Sequence, residues 1–488
     1  MKDWGKRIEG KIAAHDRFQF EIKLGYTLNP SVPKNAYNVD LFLFVPKSLG
    51  INAGTYDKRA FYNNLQGYIR FKTPTFSFSE LTDPGNNLSP LTRIRLLIET
   101  NPDRQKLIAE LKLLACTTRV ATRNMITGLR KKVRKNELEG FVEILKANLD
   151  GLTKALNEFR SLVPALNAPT IHENVRAAYR HVDEYLGISI DALLNSLHNT
   201  VISSPDVPQE LAEEVGSLVK PVIISEYDHR KKHSYALYDF NSENELFLYR
   251  KGILKKIITS ILFLRTHTEE AMVIARDVAF AVAAGIAMVL ATGVTIWASL
   301  KYGTTSMPFI LAIVIGYMAK DRIKDWCKLL FSSKMTRWFS DYNTDILDPA
   351  NDKKIGICKQ AFSFISEKKV PADILRYRRH NTPSDFWLQE DVIKYEKDII
   401  LNPRPVLKAH MRLRDITDII RFNIRHFLER MDEPYEIRRA IDPASGNVAE
   451  FKCARVYHIN MVLRLEDDIR RIRLVMNQNG IKRIEEVV

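Results

Sequence analysis

Cysteine and the short motifs of the common enzyme classes are scarce in this chain of 488 residues. The four cysteines, Cys116, Cys327, Cys358 and Cys453, form no pair with the spacing of a metal site or redox motif, as expected in a reducing compartment. The P-loop pattern, GxGxxG, GxSxG, HExxH and the paired HRD and DFG motifs are all absent. These absences exclude the familiar nucleotide-binding, hydrolase, zinc-protease and kinase sites, and no cofactor is predicted.

Long hydrophobic runs are confined to one region, where they predict a transmembrane helical hairpin within residues 276–320. Residues 278–300 are uncharged and long enough as a helix to cross a hydrocarbon layer of about 30 Å. A second run, residues 307–319, reaches spanning length when the preceding polar residues from 303 are included. The predicted spans are therefore residues 278–300 and 303–319.

Small residues recur within both predicted spans and suggest close packing between helices. Alanines follow one another every four residues in the first span, and two small residues of the second span can face them. These candidate helix-packing residues are Ala279, Ala283, Ala287, Ala291, Ala312 and Gly316. The stripe fits a simple anchor or an oligomeric pore, and the lack of ionisable residues inside the spans favours the anchor.

Basic residues flank the hairpin on both sides, whereas Lys301 stands alone in its loop. This asymmetry predicts that both chain ends lie in the cytoplasm, and the charged first twenty residues lack a secretory signal. We expect a bacterial inner membrane. The residues predicted to lie at the membrane interface are Arg250, Lys251, Lys255, Lys256, Arg265, Arg276, Lys320, Arg322, Lys324, Trp326 and Lys328.

Positive charge predominates, since 73 Lys and Arg against 58 Asp and Glu give a formal net charge of +15. An excess of this size favours an acidic partner, either anionic lipid headgroups or nucleic acid. A chain tethered to a membrane already has an anionic surface beside it, so lipid headgroups are the expected partner and nucleic acid is disfavoured.

Hydrophobic periodicity divides the remaining chain into β-rich ends and a helical middle. Residues 18–28 and 37–45 alternate or are β-rich, whereas apolar residues recur every three or four positions from 107 to 133 and from 138 to 163. The latter spacing predicts two long antiparallel helices in a bundle, with coiled-coil-like packing. Residues 415–431 also show helical spacing, and the last strands are predicted to form an antiparallel meander.

The predicted fold class is thus a membrane-anchored α+β protein. Its expected parts are a β-rich N-terminal segment with a small antiparallel sheet (1–85), a cytoplasmic helical bundle with a basic juxtamembrane helix (86–265), the hairpin (276–320), and a cytoplasmic α+β domain ending in antiparallel strands (321–488). Pairing of the two β-rich ends into one sheet domain is a further hypothesis.

One histidine pair is a weak metal-site candidate. His229 and His233 are four residues apart on a predicted helix and would need Asp228 or a distant ligand to complete the site. The surrounding residues are highly polar, and a solvated turn or headgroup-facing helix explains them as well.

These features predict a non-catalytic, membrane-anchored cytoplasmic scaffold or signal-coupling protein that binds a protein partner or a second copy of itself. The alternatives are a membrane-tethered enzyme of unrecognised type, which a polar pocket in the β-rich part would support, and an oligomeric hairpin channel or regulator.

Overall fold

Two compact units divide the chain. The computed structural model describes residues 8–100, 103–271, 273–304, 306–338, 340–349, 352–380, 390–410, 412–413, 415–444, 446–466 and 468–487. Unit 1 comprises the described parts of Met1–Arg70, Leu264–Ala409 and Arg414–Val488, and unit 2 comprises those of Phe71–Phe263 and His410–Leu413. The fold is mixed α+β, with an N-terminal antiparallel sheet, many helices and C-terminal antiparallel strands.

The strands form sheets of eight, four and two members in the described part of the chain. The larger sheets have the orders β14-β13-β12-β3-β8-β7-β6-β5 and β1-β2-β9-β4, and β10 pairs with β11. The bounds are β1 (Ile8–Ala14), β2 (Gln19–Thr27), β3 (Asn35–Pro46), β4 (Leu65–Phe71), β5 (Arg265–Glu270), β6 (Tyr342–Leu347), β7 (Lys354–Ile365), β8 (Glu390–Leu401), β9 (Asp415–Asn423), β10 (Tyr435–Ile441), β11 (Val448–Ala454), β12 (Tyr457–Leu465), β13 (Asp468–Asn477) and β14 (Gly480–Val487).

The two β-rich ends of the chain pair with each other within unit 1, in agreement with the hypothesis that they form one sheet domain. Strand β2 pairs antiparallel with β9, and β3 lies between β8 and β12. In β2 the alternating residues Phe20, Ile22, Leu24 and Tyr26 are buried. Strand β3 is buried almost continuously from Val39 because it is central in its sheet and covered on both faces.

The helix predicted over residues 415–431 is wrong. The first half is strand β9, and only the single turn α14 (Arg425–Leu428) is helical. Isoleucines at 416, 419 and 420 imitate a helical spacing, but β9 lies between β2 and β4 and contacts neighbours on both edges. Its β-branched residues suit that position better than a helix.

The helices belong mainly to the middle of the chain. Those of unit 2 are α2 (Phe78–Thr82), α3 (Pro90–Thr100), α4 (Arg104–Arg134), α5 (Phe141–Arg160), α6 (Val163–Leu166), α7 (Glu173–Ile202), α8 (Gln209–Lys232) and α9 (Glu245–Thr259). Unit 1 contains α1 (Lys58–Asn63), α10 (Val273–Tyr302), α11 (Met307–Trp338), α12 (Ala372–Arg379), α13 (Pro403–Ala409) and α14. Short 3₁₀ helices occupy Lys47–Leu49, Ser260–Leu262 and Glu367–Lys369.

Helix α4 is the long central element of unit 2. Its N-cap is Asp103, whose carboxylate accepts hydrogen bonds from the backbone N–H groups of Gln105 and Lys106. The apolar positions Leu107 and Leu111 are buried as their spacing predicts. The expected pairing of α4 with α5 is a minor contact, because α4 packs mainly against α7, which has nearly the same length.

The helical hairpin is inserted between two neighbouring strands. Strand β5 leads into α10, and α11 leads back to β6. Strands β5 and β6 pair antiparallel from Arg265 opposite Leu347 to Glu270 opposite Tyr342, and the N–H of Ala271 donates to the carbonyl of Asp341 at 3.1 Å. The two helices therefore leave the sheet side by side, and they pack against each other along their length.

Candidate membrane hairpin and polar cavities

Helix α10 carries an apolar surface that the other described parts of the chain leave uncovered. Among the described helices, one segment is long and apolar enough to cross a membrane, Phe280–Tyr302 of α10. Length and composition alone identify this segment. Only 11% of this span is buried, and Val289 and Leu300 are 71% and 83% exposed. The apolar run of α11 ends at Lys320 and is too short to pass the same test.

Small residues lie in the contact between α10 and α11. Ala283, Ala287 and Ala298 are buried in a helix that is otherwise largely exposed. On α11, Gly316 is buried, and a Cβ added there would lie 3.4 Å from a methyl carbon of Val294. Ala291 and Ala312 are half-buried, and the side chain of Ala279 lies outside the described residues.

The predicted interface residues have different surroundings. Arg250 donates to the buried carboxylate of Glu184 with its Nε 3.1 Å from Oε1, and Arg265 pairs with Asp352 at 2.6 Å. The ammonium of Lys320 lies 3.6 Å from the ring centre of Tyr317. The side chains of Lys255, Lys256, Arg322 and Trp326 are exposed, those of Lys251 and Lys324 are half-buried, and those of Arg276 and Lys328 lie outside the described residues.

A buried carboxylate, Asp183 of α7, ties three helices of unit 2 together. Arg160, at the end of α5, donates from Nε to Asp183 at 3.0 Å and makes two hydrogen bonds of 2.8 Å to Glu226 of α8. Nε2 of His229 lies 2.7 Å from the second oxygen of Asp183, and the hydroxyl of Tyr235 donates to that oxygen at 3.2 Å. These contacts satisfy both buried carboxylates.

The predicted histidine pair lies beside this Asp183 cluster. The rings of His229 and His233 are 4.4 Å apart, and the ring of His233 stacks on Tyr235 with centres 5.6 Å apart. Asp228 is exposed. Within the described ranges, no group of three or more His, Cys, Asp or Glu residues could hold a metal ion. The contacts instead give His229 a structural partner in Asp183.

We expect acid to weaken unit 2 through Asp183. Burial alone would raise the pKa of Asp183, but the hydrogen bond from His229 and the charge of Arg160 outweigh it, and the pKa is lowered. The carboxylate therefore contributes stability that is present above the unfolded-state pKa of about 4 and is lost as the pH falls further.

Denaturant unfolding of Asp183→Asn at a series of pH values should show a smaller loss of unfolding free energy between about pH 5 and pH 3 than the parent protein. Asp228→Asn is the matched control, because it makes the same change at an exposed side chain of α8, the helix that packs against α7. An unchanged slope in Asp183→Asn would contradict the assignment.

Besides the polar cluster around Asp183 in unit 2, there is a polar cavity of about 230 Å³ in unit 1. Its walls come from α1, the edge strand β4, and strands β5 to β8. The lining residues are Tyr62, Leu65, Gly67, Ile69, Thr266, Thr268, Tyr342, Thr344, Cys358, Gln360 and Lys397, and we refer to this space as the polar cavity.

The polar cavity contains a buried ion pair. The ammonium of Lys397 lies 2.6 Å from a carboxylate oxygen of Asp418, and both side chains are almost completely buried. Burial would lower the pKa of Lys397, but the charge of Asp418 outweighs it and the pKa is raised. Burial raises the pKa of the Cys358 thiol to about 12. Both groups therefore stay protonated near neutral pH, so neither is a nucleophile.

No family model matches this chain, no curated protein is similar to it, and no solved structure matches its fold.

The sequence does not predict the polar cavity, because the residues that line it come from segments more than 300 residues apart. One signal was present: Lys397 occupies an inward position of β8, in phase with Ile393, Tyr395 and Ile399, which are buried. A lysine at such a position in a strand requires a buried partner.

Proposed function

We propose that this protein is a membrane-anchored scaffold or signal-coupling protein, held to the bilayer by the hairpin of α10 and α11. The observation that carries the proposal is the exposed apolar surface of Phe280–Tyr302. As a helix, these 23 residues extend about 34 Å, which is enough for a hydrocarbon layer of about 30 Å. Burying this surface in lipid gains about 25 cal/mol for each Å² removed from water.

The pairing of β5 with β6 supports an even number of crossings. Since these strands are hydrogen-bonded along their length and flank the hairpin, a chain that crosses the membrane in α10 must return in α11. The flanking basic residues favour a cytoplasmic location for both ends of the hairpin. The proposed location is the cytoplasmic membrane of a bacterium, with anionic headgroups as the lipid partner.

The polar cavity supports binding rather than covalent catalysis. A membrane-tethered enzyme is the second candidate, and a cavity with converging polar groups in unit 1 favours it. However, the raised pKa values of Cys358 and Lys397 argue against the thiol and the amine of the cavity as nucleophiles. An oligomeric channel has less support, because the first span lacks ionisable residues between Phe280 and Ser299.

Cysteine labelling tests the proposed topology. The partly exposed Cys327 and Cys453 are first replaced by serine, while the buried Cys116 and Cys358 remain. Thr304→Cys, in the hairpin loop, and Ser242→Cys, in unit 2, are then treated with a membrane-impermeant maleimide in intact cells. We expect labelling at 304 alone, and labelling at both sites after the cells are opened.

Protection of both sites in intact cells would mean that the hairpin does not cross. Labelling at 242 alone would mean that the orientation is the reverse of the proposed one.

Extraction in mild detergent, followed by mass determination of the assembly, separates the scaffold from the alternatives. A defined oligomer or a stable protein partner supports the scaffold, whereas a monomer that retains a small molecule favours the enzyme.

A further inference from the structure

We propose that the polar cavity of unit 1 binds a small, uncharged ring compound with a carbonyl-type oxygen, the chemical class of aromatic amides and nucleobases. This inference concerns a ligand site and goes beyond the proposed membrane anchoring. It depends on three features of the cavity: its charge balance, its hydrogen-bonding groups and its aromatic walls.

The charges of the cavity are already balanced. Lys397 is paired with Asp418, and Tyr62 donates at 3.0 Å to Asp341, whose charge is balanced by Lys58 at 2.5 Å. An anionic ligand would add an uncompensated negative charge, and a cationic ligand an uncompensated positive one. Because burial of an unpaired charge is costly, the cavity favours a neutral ligand.

Hydrogen-bond donors lie at one end of the polar cavity, where they can contact one end of a ligand. The ammonium of Lys397 has three N–H groups, and the ion pair with Asp418 uses one of them at 2.6 Å. Beside it, the side-chain oxygen of Gln360 accepts from the hydroxyl of Tyr395 at 2.8 Å, which fixes the amide in place. A carbonyl oxygen of the ligand can therefore accept from Lys397, as a charge-assisted hydrogen bond.

The remaining walls suit a flat ring. The rings of Tyr62 and Tyr342 meet edge to face with centres 4.7 Å apart, and Leu65 and Ile69 line the cavity from β4. Thr268 and Thr344 share a hydrogen bond of 2.9 Å and supply hydroxyl groups. Pockets for drug-sized ligands measure roughly 300–1,000 Å³, so a cavity of about 230 Å³ fits a single ring with one short substituent.

Gly67 provides a way to close the cavity without disturbing its surroundings. It lines the cavity from β4, and no atom lies within 4 Å of a Cβ built at this position. Valine suits a strand, so Gly67→Val should fill the space and leave the sheet intact. Gln66→Val is the matched control, because it adds the same side chain to the opposite, exposed face of the same strand.

Three probes of the same shape test the charge requirement on the full-length protein in detergent micelles. Benzamide is neutral, benzoate is anionic and benzamidine is cationic, and binding of each is measured by saturation-transfer NMR and titration. We expect benzamide to bind and the two charged probes to bind at least about tenfold more weakly. Gly67→Val should lose benzamide binding by a similar factor, and Gln66→Val should retain it.

Thermal unfolding of both variants shows whether Gly67→Val is folded, and Thr268→Val serves as a second cavity variant if it is not. Absence of benzamide binding to the parent protein would overturn the proposal. Equal binding to Gly67→Val would place the probe elsewhere and also overturn it, and tighter binding of benzoate or benzamidine would contradict the neutral class. None of these outcomes depends on whether the hairpin crosses a membrane.

Discussion

Replacing residues 272–340 with the dipeptide Asn-Gly is expected to convert the protein from a membrane-bound to a water-soluble form. Ala271 and Asp341 face each other at the ends of β5 and β6, with a hydrogen bond of 3.1 Å between their backbones. Asn-Gly is the favoured two-residue turn for antiparallel strands, so the sheet can close without the hairpin. The replaced segment includes the exposed apolar surface of Phe280–Tyr302.

The measurement is partition between the membrane pellet and the supernatant after an alkaline carbonate wash. We expect the parent protein almost entirely in the pellet and the shortened variant almost entirely in the supernatant. A variant with only the hairpin loop, residues 303–306, changed to glycine and serine keeps both helices and should stay in the pellet. If the shortened variant also stays there, another segment holds the protein to the membrane, and α9 with its exposed Leu246 and Tyr249 would be examined first.

Asp418→Ala is expected to cause a large loss of stability in unit 1. It leaves the ammonium of Lys397 buried without its 2.6 Å partner. Removing one member of a buried ion pair typically costs about 3–5 kcal/mol, whereas replacing both members by apolar residues of similar volume is often neutral or stabilising.

Denaturant unfolding of the parent, Asp418→Ala and the double variant Lys397→Met with Asp418→Leu measures this difference. We expect the single variant to lose roughly 3–5 kcal/mol and the double variant to recover most of the loss. A single variant within about 1 kcal/mol of the parent would contradict the buried pairing, since that is the range of exposed ion pairs.

Some elements were predictable from sequence because local patterns specify them. Helix α10 combines length with an apolar composition, and β2 alternates strictly. Strand β9 was misread, because Ile416, Ile419 and Ile420 fit a helical period and only its two neighbouring strands decide the matter. In α4, the period predicted the buried face correctly but not the partner helix, which depends on tertiary contacts.

The candidate sites were less predictable, because they depend on pairings between distant segments. The spacing of four residues correctly predicted that His229 and His233 lie side by side, at the end of α8. Their neighbour Asp183 lies 46 residues before His229, and no local pattern connects the two. The polar cavity is more remote still, since Tyr62 and Lys397 are brought together only when β3 pairs with β8 and α1 packs near β7.

The paired strands β5 and β6, from which the hairpin leaves the sheet, also determine how the protein resists mechanical force. Among the described strands, β5 is the last strand of its sheet and has β6 as its one neighbour, so a force that peels α10 sideways breaks the β5–β6 hydrogen bonds one after another. A force along the strand axes that pulls α10 and α11 together loads the β6–β7 pairing, and through it the longer β7–β8 pairing, in shear, where several hydrogen bonds resist at once. A force that separates the two helices is therefore resisted least. It opens the β5–β6 pairing from Glu270 opposite Tyr342 and then reaches Thr268 and Thr266, which line the polar cavity.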